Sequence, residues 1–308
     1  MKLGFLTSCM PERKLEDIAA WAGAHGYEAL ELAAWPTIAD RPFTASHLAA
    51  ETLDEREAER ITTLLADHGL TVSALAYYPN NLDPDPAARA EAHAHVRACI
   101  DAAVLLGGVP VGTFVGRDPG RSVAENLRVA ERVLPPLVDY AGERDIKVMI
   151  ENCVMEGWTA DGAPGNLAYS PELWEWMFDL GLYLNFDPSH LLWLGIDPIA
   201  ALKPYVDHVV HAHAKDAETF PQLRNRYGFF GRQSTRATDP WDIGWWRYRI
   251  PGLGEVDFRR YVDTLYEGGF DGVLSVEHED PVWGGTPAKV EQGLQIARRT
   301  LRPLIVAP

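Results

Sequence analysis

Cysteine is scarce in this sequence of 308 residues: Cys9, Cys99 and Cys153 are the whole set, an odd count without metal-ligand spacing. That excludes a disulfide framework and a cysteine zinc site, and leaves reduced, mostly buried thiols of a cytoplasmic protein as the expectation. Positive charge is also short, with 28 Lys and Arg against 44 Asp and Glu and a formal charge of -16. A surface of that sign repels phosphate backbones and anionic lipid, so neither nucleic acid nor a membrane is an expected partner. Small neutral substrates, or anions held by a metal, stay compatible. No apolar run reaches membrane-spanning length, and the longest, 102–116, is broken by Gly107, Gly108 and Pro110. The first residues carry only Lys2 before a short apolar run and do not read as a signal peptide. Low-complexity tracts and sequence repeats are missing as well.

What is present is an alternation of short apolar runs with longer amphipathic ones, the signature of repeated βα units. Strands are expected at 3–6, 27–32, 70–76, 110–115, 147–150, 182–186, 207–216 and 272–276. Helices are expected at 14–25, 53–68, 87–106, 123–144, 171–179, 255–267 and 286–301, with Pro135-Pro136 bending or interrupting the fourth. Eight strands over this length predict an α/β protein, a single (β/α)8 TIM barrel spanning 1–308. The segment 217–254 after the seventh strand is too long for an ordinary connection, which marks it as a lid over the site or an interface element. It carries Phe229, Phe230, Trp241, Trp245, Trp246 and Tyr248 beside Arg224, Arg226, Arg232, Arg236, Arg247 and Arg249.

Active sites of such barrels lie at the C-terminal strand ends, and the last four strands end in Glu151, Asp187, His213 and Glu277. Each is a metal-ligand type. Stepping back two residues gives Met149, Asn185, His211 and Ser275 on the same inward face, while Ile150, Phe186, Ala212 and Val276 point outward. Three carboxylates crowded at a barrel mouth would be driven to protonate unless a cation compensates them. Three oxygen donors and one imidazole suit a single divalent ion, with Mn2+ favoured and Mg2+, Co2+ or Zn2+ compatible. The competing reading, an ion-pair network, needs basic partners at that level and finds only Lys215. Lys215 has the inward phase and can touch a substrate oxygen or pair with Asp216. Glu31, Trp35, Tyr77 and Asn80 lie at early strand ends as pocket candidates or core residues. His208, His278 and Glu279 read as supporting groups, and Gly252 and Gly254 as a turn.

The motifs V-M-I-E-N (148–152), N-F-D-P-S-H (185–190), H-A-K-D (213–216), G-L-G-E-V-D-F (252–258) and S-V-E-H-E-D (275–280) together resemble the xylose isomerase-like TIM barrels, the sugar phosphate isomerases/epimerases. The resemblance implies one divalent ion on Glu151, Asp187, His213 and Glu277. From the ketose 3-epimerases of that family it implies proton transfer by Glu151 and Glu277, and substrate contact by His190. A metal-dependent sugar isomerase or epimerase working through an enediolate is the function implied, and the strand-end positions of Lys215, Trp35 and Tyr77 make them the further expected substrate contacts. The alternatives are a lyase acting on 3-keto glycosides or inososes, and a catalytically inactive sugar-binding barrel. Ketose epimerases of this type tend to carry an arginine shortly after the metal histidine, whereas here Thr219 and Phe220 stand in that region and Arg224 is the nearest. A DNA endonuclease on this barrel needs extra histidines where Trp35 and Tyr77 stand. The expected partner is a small sugar or sugar-derived substrate, and the expected assembly a homo-oligomer.

Overall fold

The inward phase inferred for the strand ends requires alternate residues of each strand to share one interior, and the strand order supplies it. The structure, a computed structural model, describes residues 1–36, 45–155, 164–229 and 244–306. In chain order the strands are β1 (Lys2–Leu6), β2 (Ala29–Ala33), β3 (Thr71–Ala76), β4 (Val111–Thr113), β5 (Val148–Glu151), β6 (Tyr183–Phe186), β7 (Val209–Ala214), β8 (Asp216–Thr219), β9 (Trp246–Arg249) and β10 (Val273–Val276). All but β8 and β9 are parallel and close into a barrel in the order β1-β10-β7-β6-β5-β4-β3-β2. The chain thus forms the single closed eight-stranded barrel expected.

Helices between the strands cover the outer face, so the strands are apolar on both sides, and β2 is buried along its whole length. Polar caps start the helices. Asp54 accepts the Glu57 N–H, and Ser122 and Glu125 cap one another reciprocally. The Pro135-Pro136 pair acts as expected: one helix ends at Val133 and another, Pro135–Gly142, begins, because proline lacks the N–H that would continue the first. No helix among the described residues is long and apolar enough to cross a membrane.

The seventh strand is shorter than expected. It leaves the barrel at Ala214, and Asp216 begins the separate two-stranded sheet in which β8 pairs antiparallel with β9. The cause is the buried Asp216 carboxylate, which accepts backbone N–H bonds from Ala217, Gly252, Gly254 and Val256. Gly254 must be glycine here, because a Cβ would lie 2.3 Å from the Ala217 carbonyl oxygen and 2.4 Å from Asp216 Oδ1. The Gly252-Gly254 stretch is therefore a turn, and it is wrapped around a carboxylate. The ion pair of Lys215 with Asp216 that the sequence allowed is replaced by this clasp.

The insertion is anchored again beside that clasp, where Arg249 pairs opposite Asp216. Arg249 binds Glu218 at 2.6 Å and Asp280 at 2.9 Å, and Asp280 also accepts the Ile250 N–H. The hairpin is thereby fastened to the loop after β10. Its aromatic side chains Trp245, Trp246 and Tyr248 pack with Val154, Trp193 and Ala217, and Trp193 stacks on Trp246 at 4.3 Å. Phe230, Arg232, Arg236 and Trp241 of the insertion lie outside the described residues, as do Gly157 and Gly162 of the loop after β5.

Candidate metal centre

Four barrel strands deliver Glu151, Asp187, His213 and Glu277 to one point. Their ligand atoms all lie within 4.8 Å of one another, with the first three residues buried and Glu277 partly so. Glu151 Oε1, Asp187 Oδ2 and His213 Nδ1 are buried and make no hydrogen bond among the described residues. Buried polar atoms are almost always hydrogen-bonded, and these three have only charged neighbours, Lys215 at 3.2 Å from Asp187 Oδ2 and Glu277 at 3.1 Å from His213 Nδ1, so a divalent cation is the group that would satisfy all of them together. The donor set fits such an ion.

The tautomer of His213 agrees. Its Nε2 lies 2.9 Å from Glu31 Oε2, a carboxylate that also accepts from Ser275 Oγ at 2.8 Å and, through Oε1, from Tyr78 Oη at 3.1 Å. Burial acts to raise the Glu31 carboxyl, but His213 and His211 and the bonds from His213 and Ser275 outweigh it and hold it at about 2. An ionised acceptor at Nε2 keeps a proton there, and Nδ1 faces Glu151 and Glu277, 3.5 and 3.1 Å away. Burial would lower the imidazole, but Glu31, Glu277 and Glu151 hold it well above its ordinary value, and a cation bound at this point would take the place of the Nδ1 proton. Glu31 is the buried group that the sequence undervalued. His211 lies outside the cluster of Glu151, Asp187, His213 and Glu277: Ser73 Oγ donates to its Nε2 across the barrel, and its Nδ1 donates to Asn185. Replacing Glu31 by Gln removes the charge that orients His213 while keeping an acceptor. Affinity for Mn2+, measured by competition with a chelator, is expected to weaken by about 10–100-fold. Unchanged affinity would leave Glu31 a purely structural group.

The charges cannot all coexist unaided. Burial would raise Glu151, yet His213, His190 and Lys215 hold it well below the usual carboxylate range. Asp187 is likewise depressed against its burial by Lys215 and His190. Glu277 absorbs the conflict: burial and the Glu151 charge push it up to about 7 although Lys215 pulls the other way. The fully buried Lys215 ammonium stands 2.7 Å from Glu277, 3.1 Å from Glu279 and 3.2 Å from Asp187. One ammonium facing these carboxylates leaves an excess of negative charge. His190 Nε2 is 3.4 Å from both Glu151 Oε1 and Asp187 Oδ2, and Cys153 and Asp187 hold its imidazole well above its ordinary value in spite of burial and of Lys215.

The family profile described as Xylose isomerase-like TIM barrel matches residues 19–302. The chain belongs to that family. Among relatives, the uncharacterised protein YfiH of Bacillus subtilis strain 168 is 24% identical over 306 residues, covering 91% of this chain and 93% of that one. An inosose dehydratase of Clostridium tetani is 31% identical over 102 residues, 32% of each chain, so the likeness spans about a third of that enzyme. The structure of D-psicose 3-epimerase with D-tagatose from Clostridium cellulolyticum H10 superposes with a TM-score of 0.66 at 13% identity, covering 100% of both chains.

Within this xylose isomerase-like barrel the remaining sequence candidates take distinct places. Trp35 joins Tyr78, Phe114 and Cys153 in an apolar wall that also contains Leu6 and Ala76. Tyr77 is buried edge-on against His95 with ring centres 4.4 Å apart, and the hydroxyl that reaches Glu31 belongs to Tyr78. Asn80 braces a loop by accepting the Leu82 and Arg117 N–H groups. His208 stacks on Phe178 at 4.0 Å, away from the ligands. Sequence reasoning also passed over Tyr248, whose hydroxyl lies 2.8 Å from His190 Nδ1 and whose ring lies 4.5 Å from the Lys215 ammonium. The alternation W-R-Y-R at 246–249 was the available signal: the aromatics are buried, and the arginines between them turn to Glu218 and Asp280.

Proposed function

We propose that this protein is a divalent-metal-dependent isomerase or epimerase acting on a keto sugar or related polyol. The observation that carries the reading is the convergence of Glu151, Asp187 and His213 atoms, buried and without hydrogen bonds, beside Glu277. These residues would hold the ion, and the donor set favours Mn2+, with Mg2+, Co2+ or Zn2+ compatible. When bound, such an ion supplies Lewis acidity toward a carbonyl and its neighbouring hydroxyl, which acidifies the C–H between them. The protein's own groups then move the proton. Glu151 and Glu277 come from β5 and β10, which are separated in the barrel by β6 and β7, so they approach a substrate from different sides. One carboxylate takes the C–H proton and the bond's electron pair becomes the enediolate. The other returns a proton to the opposite face, which is epimerisation. Delivery to the neighbouring carbon gives aldose-ketose isomerisation instead. His190 is placed to donate to the developing oxyanion, and the wall of Trp35, Tyr78 and Phe114 offers an apolar face to a sugar ring.

A second reading is favoured by Lys215. The Lys215 ammonium stands 2.7 Å from Glu277, is kept protonated there by Glu277, Glu279 and Asp187 against burial, and is a further hydrogen-bond donor toward a hydroxyl leaving from the carbon beside the enediolate. That would make the protein a lyase on inososes or 3-keto glycosides, and the partial likeness to inosose dehydratase supports it. Incubating Mn2+-loaded protein in D2O with free ketoses, inososes and 3-keto glycosides separates the readings. Deuterium beside the carbonyl of an epimer or isomer supports the first, and loss of water with an unsaturated product the second. Full metal occupancy with neither outcome on any substrate overturns both and leaves a binding barrel.

A further inference from the structure

We infer that Asn152 and Tyr261 are positioning residues for the metal centre: they tie neighbouring strand ends together and so set where Asp187 stands among the other three ligands. Asp187 lies one position beyond the end of β6 at Phe186, and the next residue, Pro188, has no N–H to offer a neighbouring strand. Side chains take over from the ladder there. Asn152, the residue after Glu151 at the end of β5, accepts the Asp187 N–H on Oδ1 at 2.7 Å and donates from Nδ2 to the Asp187 carbonyl at 2.8 Å. Both residues are completely buried, so water does not compete for these bonds. On the other flank the Tyr261 hydroxyl lies 3.1 Å from the carbonyl oxygens of Phe186 and of His213, sharing one proton between β6 and β7. The carboxylate follows from the main chain: Oδ1 accepts the Ser189 N–H at 2.7 Å, and Oδ2, which makes no hydrogen bond, is turned toward Lys215 at 3.2 Å.

The other three ligands are carried by main-chain pairing. Glu151 pairs with Asn185 and His213 with Ser275 in the barrel ladder, and the Glu277 N–H reaches the Ala214 carbonyl. A metal centre tolerates errors of about 0.2 Å in its ligand distances. The carboxylates of Glu151, Asp187 and Glu277 also repel one another, so the strand ends need ties that resist spreading. Tyr261 is delivered by sequence period: the helix Phe258–Glu267 buries Phe258, Tyr261, Val262 and Leu265 on one face, and the Tyr261 ring lies against Phe186 with centres 5.6 Å apart. The start of that helix is fixed by the turn around Asp216, which holds the N–H groups of Gly252, Gly254 and Val256, and by Asp257, which accepts the Arg260 N–H. The turn that closes the insertion therefore also aims Tyr261 between two ligand strands.

The test compares two deletions of a single buried hydroxyl. Tyr261→Phe removes the tie between β6 and β7, whereas Tyr27→Phe removes a buried hydroxyl that donates to the Leu294 carbonyl at 2.8 Å, before the start of β2 and away from the ligands. Both variants are expected to melt at a lower temperature than wild type when metal-free. Only Tyr261→Phe is expected to weaken Mn2+ binding, by about 10-fold in competition with a chelator, and to alter the visible absorption of Co2+-loaded protein, which reports ligand geometry. Asn152→Ala removes two bonds and is expected to lose more affinity than Tyr261→Phe. Wild-type affinity and Co2+ spectrum in Tyr261→Phe, or in folded Asn152→Ala, overturns the inference, as does an equal loss of affinity in Tyr27→Phe. The inference rests on the metal centre of the proposed function and not on the reaction. Wild-type protein that takes up no divalent ion overturns that centre and the inference with it, whereas an ion bound equally by all the variants overturns the inference alone.

Discussion

Purified His213→Ala protein will carry no tightly bound divalent metal. The imidazole is the nitrogen donor among the four converging residues, and its geometry is set before any ion arrives: Nε2–H is engaged by Glu31, and Nδ1 is left without a hydrogen bond. Alanine removes the ligand and also strands the buried Glu31 carboxylate without its histidine. The loss of affinity should exceed the about 10–100-fold expected from removing an outer partner such as Glu31. Metal content by atomic emission, after dialysis against a mild chelator, reads the effect directly. His211→Gln serves as the control, because the His211 nitrogens are committed to Ser73 and Asn185, and this variant should keep its metal. If His213→Ala retained as much metal as wild type, the centre would not be where the four strands converge.

The parts of this molecule that follow a local period were legible, and the parts set by contacts distant in sequence were not. The convergence of Glu151, Asp187, His213 and Glu277 could be read because strand side chains alternate and barrel sites lie at strand ends, so a period of two and eight apolar runs suffice to align them. Glu31 could not be ranked in this way. Its value comes from a bond to His213, 182 positions away, and the register between β2 and β3 shifts just at Leu30/Glu31. Tyr77 and Tyr78 differ by one position beyond the end of β3, where strict alternation no longer applies. The boundary of β7 was overrun because D-H-V-V-H-A-H-A-K-D is uniformly strand-like, and the exit at Asp216 is dictated by N–H groups of residues 252, 254 and 256. The arrangement of the insertion hairpin was present in the sequence as an aromatic-basic alternation, but its meaning depends on the carboxylates of Glu218 and Asp280, which a local pattern cannot reveal.

Lys215→Met will destabilise the metal-free protein and enlarge the stabilisation given by Mn2+. Without an ion, Lys215 is the ammonium that offsets Glu277, Glu279 and Asp187 from inside the barrel, and it is fully buried there. Removing one partner from a buried charge cluster costs roughly 3–5 kcal/mol, because the remaining charges stay desolvated. In the loaded protein the effect reverses. Lysine and cation compete for the same carboxylates, so the methionine variant should bind Mn2+ more tightly and gain more melting temperature at a given metal concentration. Thermal denaturation with a chelator, and then across a Mn2+ series, measures both effects. A metal-free variant as stable as wild type, or a smaller rise with Mn2+, would show that lysine and metal do not share the site. The same variant also separates the two chemical readings. Two carboxylates suffice to exchange the proton beside a carbonyl, so an epimerase lacking Lys215 still incorporates solvent deuterium and still forms the epimer. A lyase that relies on this ammonium to hydrogen-bond the departing hydroxyl keeps the exchange but stops before the unsaturated product, since the enediolate is then returned to substrate.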